Sequence, residues 1–273
     1  MPTRSRLAYR RSRYTGEPAP LARRGVSRDR THGLDACSPA QLELRSLLFY
    51  FAFTRGPWHL ARMLFYTWDA SPQHDMFVMT NVTAPENLAR TVGAKGYDRP
   101  GLPGLRLLPD AGTGNYDFVH LPTGGRLRVL TGGEGRYGDL AAVGMRPPDD
   151  DEAEGLAAAA SMSHHTKRLF AALLARCSCR TMDGRWDVGQ FFYASDHEFA
   201  DQPGRMAVEE RFELTGSGDR WELAWSLATA PETFTRPLIT PGIELPGARI
   251  TVEQAGTVST IRLGTAQLRL IRQ

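Results

Sequence analysis

Apolar and polar positions along the chain alternate between a helical and a strand-like period, and the same order of periods returns in its second half. Ser38 is a good N-cap, Pro39 suits the first helical position, and Gln41 stands where a capping box takes Glu or Gln. Leu44, Leu47, Leu48 and Phe51 recur at helical spacing, which predicts a helix with one buried face that ends near Phe53, before Gly56-Pro57. Residues 58–68 and 75–82 are rich in aromatic and branched side chains and read as a hairpin, interrupted by Ser71-Pro72-Gln73. A short helix over 86–92 opens at Ala84-Pro85, and strands follow at 105–108, 116–121 and 126–130, the last two joined by Pro122-Thr123-Gly124-Gly125.

Beyond residue 160 the pattern starts again. Thr166, Leu169, Phe170, Leu173, Leu174 and Cys177 share a helix face, and strands are expected near 185–194, 207–214 and 220–228. In the third of these Trp221, Leu223, Trp225 and Leu227 alternate with Arg220, Glu222, Ala224 and Ser226, so one face must be buried. Letters repeat as well. Thr83-Ala84-Pro85-Glu86 matches Thr229-Ala230-Pro231-Glu232, Leu102-Pro103-Gly104 matches Leu245-Pro246-Gly247, and Leu127-Arg128-Val129-Leu130 matches Leu268-Arg269-Leu270-Ile271. Each Pro-Gly pair before a strand suits a type II turn, the proline setting φ and the glycine accepting a positive one. The fold class expected is therefore α+β, in two tandem diverged repeats. Each is a helix followed by antiparallel strands, a short helix and a further antiparallel strand set. The second carries extra chain near 195–205.

Charge changes the picture at the N-terminus. Residues 1–30 hold nine arginines against Glu17 and Asp29, a net +7, while the whole chain is only +3. The remainder is thus mildly acidic, and the basic character belongs to the first segment. Residues 1–36 lack a sustained apolar face and are expected to form a disordered Arg-rich arm. Residues 37–131 then form the first α+β repeat, 132–160 a Gly-rich and acidic linker around Pro147-Pro148-Asp149-Asp150-Asp151-Glu152, and 161–273 the second repeat. Three cysteines, Cys37, Cys177 and Cys179, have no framework spacing and suit a reducing compartment. No secretory leader follows Arg13, and the longest apolar run, residues 47–53, is too short for a helical span. A cytoplasmic protein with no membrane span is expected.

Few residues carry recognisable chemistry. Gly133-Glu134-Gly135-Arg136-Tyr137-Gly138 fits G-x-G-x-x-G, but it follows a hairpin and precedes an acidic stretch, which argues against a dinucleotide site. Cys177-Ser178-Cys179 lacks the second ligand pair of a structural zinc site, so no metal and no cofactor are expected. His164 and His165, with Asp196, His197, Glu198 and Asp201 in the insertion, form the richest titratable group, a candidate acid–base site if the insertion folds over the helix. The arm offers binding candidates in Arg10, Arg11, Arg13, Tyr14, Arg23 and Arg24, whose chemistry suits phosphates or an acidic protein surface.

Through Arg13-Tyr14-Thr15-Gly16-Glu17 and the helix opening Ser38-Pro39-Ala40-Gln41 the chain resembles a group of actinobacterial proteins with Arg-rich N-termini. That resemblance covers the arm and the first helix and implies no activity and no site residues. The expectation drawn from the residues is a non-enzymatic adaptor or binding protein. Its duplicated modules would meet a protein partner and its arm an anionic one. The alternative is an enzyme with a His/carboxylate site in the second repeat.

Overall fold

The computed structural model describes all residues except 1, 30, 55–59, 61–62, 64–66, 68, 81–84, 94–100, 110–113, 132–144, 180–211, 227–229 and 254–256. Among the described residues the chain is α+β, with seven helices and two five-stranded sheets, one in each half. In the first half α1 (Arg4–Thr15), α2 (Ala19–Gly25) and α3 (Pro39–Phe53) precede β1 (Asp69–Gln73) and β2 (Met76–Thr80). Then come α4 (Pro85–Gly93), β3 (Leu105–Leu107), β4 (Tyr116–His120) and β5 (Arg126–Leu130). The second half contains α5 (Asp150–Ala159), α6 (His164–Leu174), β6 (Phe212–Ser217), β7 (Arg220–Trp225), α7 (Glu232–Ile239), β8 (Ala248–Glu253), β9 (Val258–Leu263) and β10 (Ala266–Arg272).

The strand orders are β1-β2-β5-β4-β3 and β6-β7-β10-β9-β8. In each sheet the last strand enters the centre and runs parallel to the second, Phe77 pairing with Leu127 and Trp221 with Leu268. The other pairings are antiparallel. This corrects the expectation of purely antiparallel sets. A parallel neighbour needs a crossover, and the long connections carrying α4 and α7 supply it. The first hairpin also lies later than expected, because Ser71-Pro72-Gln73 is strand and the turn falls at His74-Asp75. Pro72 is tolerated there because β1 is an edge strand, where its missing N–H breaks no ladder. The strand expected at 185–194 and the motif at 133–138 lie outside the described residues.

The Pro-Gly turns form as the letters require. Gly104 has φ 77° and Gly247 φ 83°, and Leu105 N–H donates to Leu102 O (3.0 Å) as Ala248 N–H does to Leu245 O (3.1 Å). The leucine before each proline is tied back to the preceding helix, Leu102 N–H to Val92 O and Leu245 N–H to Leu238 O. Both major helices start at a capping serine, Ser38 and Ser163.

One apolar cluster spans both halves. The two helices α3 and α6 pack on each other between the sheets, and α3 is buried on every side from Leu44 to Phe53, not on one face. Phe49 meets Phe170 (ring centroids 4.7 Å), Tyr50 meets Trp221 (5.8 Å) and Phe53 meets Phe234 (6.1 Å). The second half thus covers the face of α3 that its own sheet leaves open, which accounts for aromatics at positions the helical period assigns to solvent.

Part of the expected linker is structured. Asp149 and Glu152 form a reciprocal capping box at the start of α5. Glu152 is only 3% exposed, and its carboxylate accepts from Arg106 Nη1 (2.9 Å), Arg106 Nη2 (2.7 Å) and Gly104 N–H (3.1 Å). An acidic composition resists burial only while its carboxylates lack partners, and β3 provides one.

His120 on β4 is fully buried, Nε2 lying 2.9 Å from Pro103 O and Nδ1 2.9 Å from Thr123 Oγ1. A neutral ring that donates from Nε2 and accepts at Nδ1 satisfies both contacts. Burial pushes its pKa down from 6.5 to about 4. Between those values the unfolded chain takes up a proton that the folded chain refuses, so stability rises with pH across this window. The His120 contribution, roughly 3 kcal/mol, should be fully present above pH 6.5 and be lost as pH falls towards 4. Urea midpoints measured along this range should fall, and His120→Gln should flatten that fall; an unchanged slope would remove the assignment.

Candidate anion-binding surface

Residues 1–36 were expected to form a disordered arm, but the described ones among them include two helices packed on the body. Thr3 caps α1 by accepting from Arg6 N–H (3.3 Å), and Gly16, in the left-handed region at φ 75°, closes it by donating to Ser12 O (2.9 Å). Pro18 leads into α2, which has Pro20 in its first turn. The two helices lie against β1. Leu7, Ala8, Ala22 and Val26 form a small apolar cluster of their own.

Arg11 holds this hairpin to the body. It is fully buried, and its Nε and Nη2 pair with the Glu17 carboxylate, itself 1% exposed. Nη1 donates to His32 O (2.7 Å) and Nη2 to Pro72 O on the edge strand (2.5 Å). Thr15 Oγ1 adds a third donor to Glu17 (3.0 Å). Space for the guanidinium depends on Gly25, where a Cβ would stand 2.1 Å from Arg11 Cζ. The stretch Arg11 to Glu17 is therefore an internal lock. Disorder was expected because the apolar face of α1 is short; a satisfied buried ion pair completes it. Arg11 consequently faces no partner.

Tyr14 is half-buried beside Leu34, Cys179 and Ile243, with its hydroxyl donating to Pro241 O (3.2 Å), so it joins the hairpin to the second half. Two further buried arginines lie at this junction. Arg176 pairs with Asp35 (2.6 and 2.8 Å) and donates to Ile243 O and Glu244 O. Arg45 donates to Leu34 O and Gln73 O, and burial pushes its pKa down to about 10, so it stays charged at neutral pH.

The other arm candidates are exposed. Arg10 and Arg13 on α1 and Arg23 and Arg24 on α2 face solvent. With Arg6 and with Tyr9, which is 65% exposed, Arg10 and Arg13 occupy positions i, i+3, i+4 and i+7, a single outer stripe of α1. Arg6 and Tyr9 were not among the residues singled out from sequence. The spacing itself was the available signal, hidden once the segment was read as non-helical.

In the second half His164 is exposed and His165 half-buried, their ring centroids 6.0 Å apart. His165 Nδ1 lies 2.8 Å from Thr265 Oγ1, in the turn between β9 and β10. Ser163 Oγ donates to Asp219 in the turn between β6 and β7, and Thr166 Oγ1 donates to Gly218 O (2.7 Å). Hydrogen bonds from Ser163 and Thr265 hold the Asp219 carboxyl below its usual range. These contacts fasten two turns to the start of α6. His197 and Glu198 lie outside the described residues. Cys177 and Cys179 are buried thiols, and burial raises the pKa of Cys177 well above its ordinary value.

No described helix is long and apolar enough to cross a membrane. No protein-family model, curated protein or solved structure matches the chain.

Proposed function

We propose that the protein is a non-enzymatic binding protein built from two diverged copies of one α+β module, with the α1–α2 hairpin docking an extended anionic partner, a nucleic-acid backbone. Support for two copies comes from the shared strand order, the parallel central pairing in both sheets and the paired Pro-Gly turns at Gly104 and Gly247. The observation that carries the binding reading is the stripe Arg6, Tyr9, Arg10 and Arg13 on a helix whose orientation is held by buried Arg11. Ordered arginines bind phosphates without first losing the conformational freedom of a loose arm.

Duplex DNA binding measured across a salt series tests this. Each phosphate neutralised contributes about 0.9 to the slope of log K against log salt. Replacing Arg6, Arg10 and Arg13 together by Ala should weaken binding and reduce the slope by about 2 to 3. These side chains are exposed, so the fold should be kept. Equal slopes for the two proteins would sink the reading.

A further inference from the structure

The two sheets end differently at corresponding strands. In the first sheet β3 is three residues long, and α5 covers it through the Glu152 carboxylate, which accepts from Arg106 and from Gly104 N–H. Pro103, Gly104 and Arg106 are all buried there. β8 holds the same place at the end of the second sheet, but it runs for six residues, and Pro246, Gly247 and Arg249 are exposed. Among the described residues β9 is its one neighbour in the sheet. A strand of this length with a bare edge offers its backbone to another strand.

Side chains along β8 call for a neighbour too. Arg249 stands directly opposite Arg262 on β9, both exposed, and like charges facing each other across a ladder are unfavourable. Val252 is 54% exposed although it shares a strand face with Ile250, which packs on the core. The helix α7, which packs against β8, ends in Ile239, 58% exposed.

Charge and register select the occupant. Ala248 N–H is taken by Leu245 O and not by β9, so by the period of two Ile250 and Val252 turn their amides and carbonyls towards the open edge. An antiparallel strand related by a two-fold axis through Thr251 sets Ile250 opposite Val252 in hydrogen-bonded pairs. The same axis sets Arg249 opposite Glu253 twice, in the non-hydrogen-bonded pairs where side chains approach most closely. The strand from Ala248 to Glu253 is thus complementary to itself in reverse. Arg249 gains a carboxylate on the side away from Arg262, and Val252 gains an apolar cover.

We propose that β8 is a dimerisation edge, pairing antiparallel with β8 of a second copy about a two-fold axis at Thr251 and joining two five-stranded sheets into one. The contact uses neither α1 nor its arginines and goes beyond the nucleic-acid reading.

Sedimentation equilibrium of the full chain, from micromolar to hundreds of micromolar concentration, should show a monomer–dimer equilibrium. Arg249→Glu and Glu253→Arg should each raise the dimer dissociation constant by about tenfold or more, because two pairs turn from attraction to repulsion. Both changes in one chain exchange the signs and should return the constant to near its original value. Arg249 and Glu253 are exposed, so circular dichroism of the variants should match that of the unaltered chain. The variant lacking Arg6, Arg10 and Arg13 should dimerise normally, so failure of the DNA reading leaves this one standing. A monomer at every concentration would overturn the proposal and leave the edge to another partner. So would a dimer that neither single change weakens, or a loss that the double change does not recover.

Discussion

Replacing Arg11 by Met is expected to destabilise the protein by about 3–5 kcal/mol, because it strands the buried Glu17 carboxylate without its cation. Thr15 remains as a donor to that carboxylate, but a hydroxyl does not neutralise it. Pro72 O and His32 O lose their donors at the same time. Against a domain stability of roughly 5–15 kcal/mol the loss should appear as a large drop in the urea midpoint, with early proteolysis in the α1–α2 hairpin. The double change Arg11→Met with Glu17→Leu should recover much of the loss, since it removes the orphaned charge instead of exposing it. A midpoint unchanged in the single variant would mean that the guanidinium is not buried.

Arg106→Met should cost a similar amount, about 3–5 kcal/mol at neutral pH. Arg106 is the cation facing Glu152, and both side chains are 3% exposed. Gly104 N–H and the Asp149 N–H of the capping box would remain as neutral donors to the carboxylate. The guanidinium also donates to Arg146 O and Pro147 O, so its loss frees the chain that leads into α5. Denaturation at pH 7 should report the lower stability, and limited proteolysis should locate new cleavage just before or within α5. Resistance equal to that of the unaltered protein would show that the pair does not hold this segment.

These two ion pairs mark where sequence reading loses its grip. Arg11 and Glu17 lie six residues apart, but what buries them is the carbonyl of Pro72 and the missing side chain of Gly25. Arg106 and Glu152 are 46 residues apart, and neither sits in a pattern that signals pairing. A charge is read as exposed unless its partner is known, and the partner is known only once the chain has folded. The outer stripe of α1 was lost for the same reason. Its four residues have helical spacing, but a helix without a continuous apolar face reads as disordered until its buried arginine is credited as part of that face.

What is decided within a few residues was legible. Ser38 and Ser163 start their helices because a serine oxygen reaches the first-turn amides of its own chain. Gly104 and Gly247 take positive φ because the preceding prolines set up a type II turn. The alternation through Trp221, Leu223 and Trp225 assigns the inner face of β7. The parallel placement of β5 and β10 and the enclosure of α3 by both halves were settled only in three dimensions. Each depends on which distant surface arrives to pair, cover or leave bare a segment, and local propensity carries no term for that.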